Sequence, residues 1–199
     1  MVLIPVTAFL VSCDADSPEV GDPQSAKTVA GPSKQELTEL AELYGVIDPP
    51  RVATIAVLPR SEFPAAQVAC LQDAGFDASL TPDGEGVQAD IASSRNDEYS
   101  LAAYTCAVRY RLDPEQDGPL SAEQLEIAHR YLTTTLVQCL KERGYSVEGV
   151  PSLETFISTY DTNPWNPYIQ IEDQISEGEW KTLAPQCPPN TPAEMLYSN

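Results

Sequence analysis

Val68-Ala69-Cys70-Leu71-Gln72-Asp73-Ala74-Gly75-Phe76-Asp77-Ala78 and Val137-Gln138-Cys139-Leu140-Lys141-Glu142-Arg143-Gly144-Tyr145-Ser146-Val147 spell one pattern, Val-x-Cys-Leu-x-x-x-Gly-aromatic. Each reads as the end of a helix. Glycine there accepts the left-handed conformation that closes a helix, and an apolar residue just beyond it packs back on the last turn. The aromatic then opens an extended stretch. The recurrence points to an internal structural repeat.

The remaining elements fall around these two units. Upstream, Ser33 and Glu36 form a capping box, Leu37, Leu40, Leu43 and Tyr44 make an apolar stripe, and Gly45 follows the last turn. Val52 to Leu58 reads as a short apolar strand bounded by Pro59. Between the copies, Phe76 to Leu80 and Gly86 to Ile91 flank Thr81-Pro82-Asp83-Gly84-Glu85, a hairpin turn. A helix is expected from Asn96 to Leu112 and a longer one from Ser121 to Gly144, with the stripe Leu125, Ala128, Leu132, Leu136, Cys139 and Leu140. Ser152 caps a last short helix to Tyr160, and the rest reads as a loop-rich tail. The fold class is α+β, with helices packed on a short antiparallel sheet. The folded domain is expected over 33–188, with 189–199 as a flexible tail.

The chain has 199 residues, a net charge of −19 and 42% hydrophobic residues. That is enough apolar material for one packed domain. Such an acidic chain is a poor ligand for nucleic acid, because neutralising phosphates needs clustered Lys and Arg. It adsorbs poorly to anionic lipid for the same reason.

Residues 2–12 are uncharged and mostly apolar, the length of a signal-peptide core and too short to span a bilayer. The run ends Leu10-Val11-Ser12-Cys13, which resembles a bacterial lipobox. In that motif the cysteine receives a diacylglycerol and becomes the mature N-terminus, so Cys13 is the expected lipid anchor. No Lys or Arg precedes the apolar run, which an upstream start would supply. The alternative is a buried strand with a core cysteine. Residues 13–32 are rich in Pro, Gly, Ser and Asp and have little to bury, so they are expected to form a disordered tether.

Cys70, Cys106, Cys139 and Cys187 remain, an even number in an exported chain, and so imply two disulfides. Three pairings exist. In the repeat, each helix cysteine has one downstream cysteine before the next copy or the chain end. That favours Cys70–Cys106 and Cys139–Cys187. The spacings contain no Cys-x-x-Cys, which argues against zinc.

From Pro49-Pro50 through the two Cys-Leu-x-x-x-Gly-aromatic units to Pro151-Ser152, Phe156 and Trp165-x-Pro167-Tyr168, the order of motifs resembles a family of exported actinobacterial lipoproteins. The resemblance covers about Asp48 to Tyr168. Its motifs are cysteines, turn glycines and aromatic anchors, so it implies export and disulfides rather than an activity.

Candidate sites are few. His129 is the single histidine and lies on the apolar stripe of the long helix, so it reads as a partly buried, hydrogen-bonded side chain. No Gly-x-Ser-x-Gly, His-Glu-x-x-His, P-loop or Gly-x-Gly-x-x-Gly is present. Asp113, Glu115 and Asp117 with Gly118 resemble the front of an EF-hand calcium loop between helices. Position twelve is Gln124, with Glu123 one place early, which removes the bidentate ligand. An acidic helix–helix loop is the plainer reading. Trp165 and Tyr168 are candidate binding aromatics, with packing against a loop-rich core as the alternative. Asp73, Asp77, Asp83, Glu85 and Asp90 suggest an acidic patch around the hairpin. A pair of them could hydrolyse glycosidic bonds given one raised pKa and a defined separation, but a solvated, solubilising face is the default reading.

Together these features predict a non-catalytic envelope lipoprotein without a metal or organic cofactor. It would sit on the outer face of the cytoplasmic membrane and bind an envelope protein or cell-wall ligand. A carboxylate hydrolase of cell-wall polymers and a weak calcium-dependent module are the alternatives.

Overall fold

The computed structural model describes residues 31–197. The signal, Cys13 and most of the tether lie outside the described residues. The architecture is α+β, and it divides at about Asp117 into two halves with separate cores.

The first half opens with α1 (Lys34–Tyr44), whose capping box at Ser33 and left-handed Gly45 (φ 66°) close both ends. Leu37, Leu40 and Tyr44 pack around Tyr104 and Val108. Strand β1 is shorter than the sequence predicts, Ala56–Leu58. Just before it, the Thr54 hydroxyl donates to Val108 O at 3.0 Å and the Ile55 N–H to Arg109 O at 2.7 Å. These residues therefore satisfy carbonyls at the end of a helix instead of a ladder.

That helix is α3 (Asn96–Arg109), three residues shorter than expected. Tyr110–Leu112 instead form strand β4, parallel to β1 with Ala56 opposite Tyr110. A parallel pair needs a long crossover. It consists of α2 (Phe63–Asp73), the hairpin β2 (Asp77–Leu80) and β3 (Val87–Asp90), and α3. The strands thus form one antiparallel pair and one parallel pair rather than a single antiparallel sheet. The buried Gln67 amide donates to Cys106 O and Tyr110 O, pinning the α3–β4 junction. Cys70, Leu71, Ala78, Ala103 and Cys106 make the core between helices and hairpin.

The second half is helical. The long helix expected from Ser121 is continuous in course but built from α4 (Ala122–Arg130), a π-helical segment (Tyr131–Leu136) and α5 (Val137–Glu142). Then come α6 (Leu153–Thr159), α7 (Glu177–Leu183) and α8 (Ala193–Leu196). Leu132, Leu136, Leu140, Phe156, Ile171, Leu183 and Cys187 are its core. The segment after Pro188, expected as a flexible tail, packs as far as Tyr197. Thr191 is buried, Leu196 lies on the core, and Gln124 Nε2 donates to Leu196 O at 3.1 Å.

The two quoted units close alike. Phe76 N–H returns to Leu71 O at 3.0 Å and Gly75 N–H to Gln72 O at 2.9 Å. Tyr145 N–H returns to Leu140 O at 3.1 Å and Gly144 N–H to Lys141 O at 3.0 Å. Both are Schellman caps, with glycine φ of 85° and 90°. The likeness is local. The first cap leads into β2. The second leads into an extended stretch held by the Gln170 side chain, which takes Glu148 N–H at 2.9 Å and gives to Glu148 O at 2.8 Å.

Each half carries its own disulfide, Cys70–Cys106 in the first and Cys139–Cys187 in the second. Two disulfides in one small chain belong to an oxidising, extracytoplasmic compartment. Among the described residues no helix is long and apolar enough to cross a membrane.

Candidate functional site

The seam between the halves holds an open cleft of about 600 Å³. A volume of that order suits a small ligand or a short peptide segment. The first half contributes Arg60, from the loop entering α2, and Glu85, from the hairpin tip. The second half contributes an aromatic and aliphatic wall of Trp165, Tyr160, Tyr197, Leu120, Leu132 and Leu196.

The hairpin tip reaches the cleft because Thr81–Gly86 folds tightly. The Thr81 hydroxyl donates to the Asp83 carboxylate at 2.5 Å, Glu85 N–H donates to the same oxygen at 3.2 Å, and Gly84 takes φ 79°. Asp83 is thus committed to shaping the turn. Glu85 stays open to solvent on one side, and Asn190 Nδ2 donates to its carboxylate at 2.9 Å. Crowding by the second half raises the Glu85 carboxyl above its ordinary range. The Asn190 bond opposes this, neighbouring Asp83 and Glu194 add to it, and Arg60 offsets part of it. Arg60 itself turns its guanidinium onto Gln116 O, with Nε at 3.2 Å.

Behind the wall runs the π-helical segment. Its wide turn brings the Tyr131 hydroxyl to Pro188 O at 2.7 Å while Ala128 and Leu132 face the cleft. Burial raises the Tyr131 phenol to about 12, helped by Glu85 and Glu194, so it stays a neutral donor. π-helical turns occur disproportionately at functional sites.

Trp165 is half-buried on the cleft wall. Tyr168, the other aromatic candidate, is not a surface binder. It is buried, donates to Cys187 O at 2.6 Å, and meets Trp180 edge-on with ring centroids 5.1 Å apart. Burial raises its phenol as well. Tyr168 anchors the loop to the second disulfide.

The calcium-like loop is not arranged as a cage. It follows strand β4 rather than a helix, and Asp113 Oδ1 accepts from Glu115 N–H at 3.0 Å. Gln124, at the twelfth position, serves the capping box of α4 by accepting from Ser121 N–H at 2.8 Å. Among the described residues no three His, Cys, Asp or Glu side chains converge on a cation position, Asp113, Glu115 and Asp117 included. His129 Nε2 lies 3.0 Å from Pro151 O, and its ring packs edge-on against Phe156. The acidic patch divides. Asp77 and Asp90 face each other across the open end of the hairpin, while Asp83 and Glu85 occupy its tip.

No protein-family model, curated protein or solved structure matches this chain.

The reading from residues therefore placed Trp165 among the candidates but assigned Glu85 to a solvated patch. It missed Arg60, Asn190, Tyr160 and Tyr197 as cleft residues. These join positions far apart in the chain, and no local pattern signals their meeting.

Proposed function

We propose that this chain is a non-catalytic lipoprotein of the actinobacterial cell envelope, anchored through Cys13 to the outer face of the cytoplasmic membrane. It binds an envelope protein or cell-wall ligand in the seam cleft. The observation that carries this reading is the cleft itself, with Trp165 on one wall and Glu85 on the other, each supplied by a disulfide-stapled half. The lipobox-like Leu10-Val11-Ser12-Cys13 and the polar tether support the anchor. Cys13→Ala is expected to move the protein from the membrane fraction to the medium, or to leave it unprocessed. Membrane retention of a processed, unacylated variant would refute the anchor.

A second reading, a carboxylate-dependent hydrolase of cell-wall polymers, is favoured by the raised Glu85 carboxyl beside Asp83 and Glu194. Glu85-dependent release of reducing ends from purified peptidoglycan would establish it. Intact polymer after prolonged incubation would leave the binding reading in place.

A further inference from the structure

We infer that the seam cleft takes a basic peptide side chain, a lysine or arginine on a protein partner, with the Glu85 carboxylate as its counter-ion and the Trp165 wall as its apolar support. This rests on the reading of the cleft as the binding surface and names its ligand. The charges lining and neighbouring the cleft are lopsided. Glu85 lines the cleft, Asp83 and Glu194 both act on it as neighbouring negative charges, and Arg60 opposes them there. The Arg60 guanidinium turns onto Gln116 O and makes no ion pair with Glu85 among the described residues, so the carboxylate keeps a face for another cation. An incoming ammonium or guanidinium relieves the repulsion among the carboxylates. An anionic ligand would add to it.

The wall suits the rest of such a side chain. Trp165, Tyr160 and Tyr197 line the cleft, and aromatic side chains are of the kind that attract cations. Leu120 and Leu196 can cover the aliphatic stem of a long basic residue. At long range the net charge of −19 steers cations toward the protein and raises their association rate. The volume, about 600 Å³, leaves room for residues on either side of the basic one.

The probes are two blocked tripeptides, acetyl-Leu-Lys-Leu-amide and acetyl-Leu-Gln-Leu-amide, together with a neutral N-acetylglucosamine oligomer. Each is titrated into the purified protein by calorimetry and by tryptophan emission. The expected result is binding of the Lys peptide at least about tenfold tighter than the Gln peptide. Glu85→Gln should erase that difference, and Trp165→Leu should weaken both peptides. The preference should shrink as salt rises. Equal binding of the two peptides, or binding of the sugar with no peptide bound, overturns the basic-residue inference while leaving the cleft as a binding site. Binding of none of the three overturns the inference, and cross-linking from the cleft in cells then decides the broader reading. Should Glu85→Gln not fold, the Lys-against-Gln comparison on the wild-type protein decides alone.

Discussion

Removing one disulfide should loosen one half and spare the other. Cys139→Ala with Cys187→Ala opens a loop of 48 residues in sequence separation, and Cys70→Ala with Cys106→Ala one of 36. In the chain-entropy model each cross-link contributes about 4 kcal/mol, with the two differing by about 0.3 kcal/mol. Net stabilities of domains run to about 5–15 kcal/mol, so either loss is a large fraction of the whole. For a chain of this size about 4 kcal/mol corresponds to a fall of about 8–16 °C in the melting midpoint. Alanine is the right replacement because Cys187 is 1% exposed and a serine hydroxyl would be buried there. The assay is calorimetry combined with hydrogen exchange read by mass spectrometry. The second-half variant should lose protection over 120–197 and keep it over 56–112, and the first-half variant should do the reverse. Equal loss across both halves from either variant, or a shift in midpoint below about 3 °C, would refute the division into two stapled cores.

Gly75→Ala and Gly144→Ala each force a methyl into a left-handed backbone with nothing within 4 Å of it, so the cost is conformational. Urea unfolding should show a loss of about 1–2 kcal/mol for each. Tyr168→Phe strands the Cys187 carbonyl and should lower stability by about 1–3 kcal/mol in the same assay, with ligand binding unchanged. Glu85→Gln should stabilise the protein at neutral pH. A carboxyl raised on folding favours the fold below its unfolded pKa of about 4.3 and loses that contribution as pH rises through the folded value. The melting midpoints of variant and wild type should therefore converge in acid and separate above it. A gap that is constant across pH would assign the effect to packing. Glu85 faces Asp83 on its own hairpin, Arg60 before α2, Tyr131 on the π-helical segment, and Asn190 and Glu194 around α8, and each belongs in that comparison.

Local signals in the sequence suffice where one residue decides the geometry. The capping box at Ser33, the helix start at Ser121 and the glycines at 45, 75 and 144 mark real helix ends. The hairpin around Asp83-Gly84 is equally local. Failures came where tertiary partners override local preference. Tyr110–Leu112 continues a helical pattern yet leaves it to pair with β1, because Gln67 captures Tyr110 O. The extended stretch after Tyr145 carries a strand pattern, but its partner is the side chain of Gln170. Ser176 and Glu179 form a capping box that opens α7, a signal present in the sequence inside a region read as loop. The π-helical segment has no signature beyond the threonines that bond back to the previous turn. The cleft is the least legible feature. Trp165 could be singled out as an aromatic among prolines, but Glu85 gains its role only when the hairpin tip meets Asn190, 105 residues away.

The most direct test of the seam cleft as a binding surface is in-cell photo-cross-linking from position 169. Ile169 lines the cleft and is 57% exposed. Leu101, 44% exposed in the first half and away from the cleft, is the control position. The expected result is one discrete cross-linked species from position 169, absent from position 101 and lost when Trp165→Leu is added. Its attachment peptide should contain a lysine or arginine. Cross-linking that is absent from 169, or equal at both positions and indifferent to Trp165, would contradict the seam cleft as the place where this protein meets its partner.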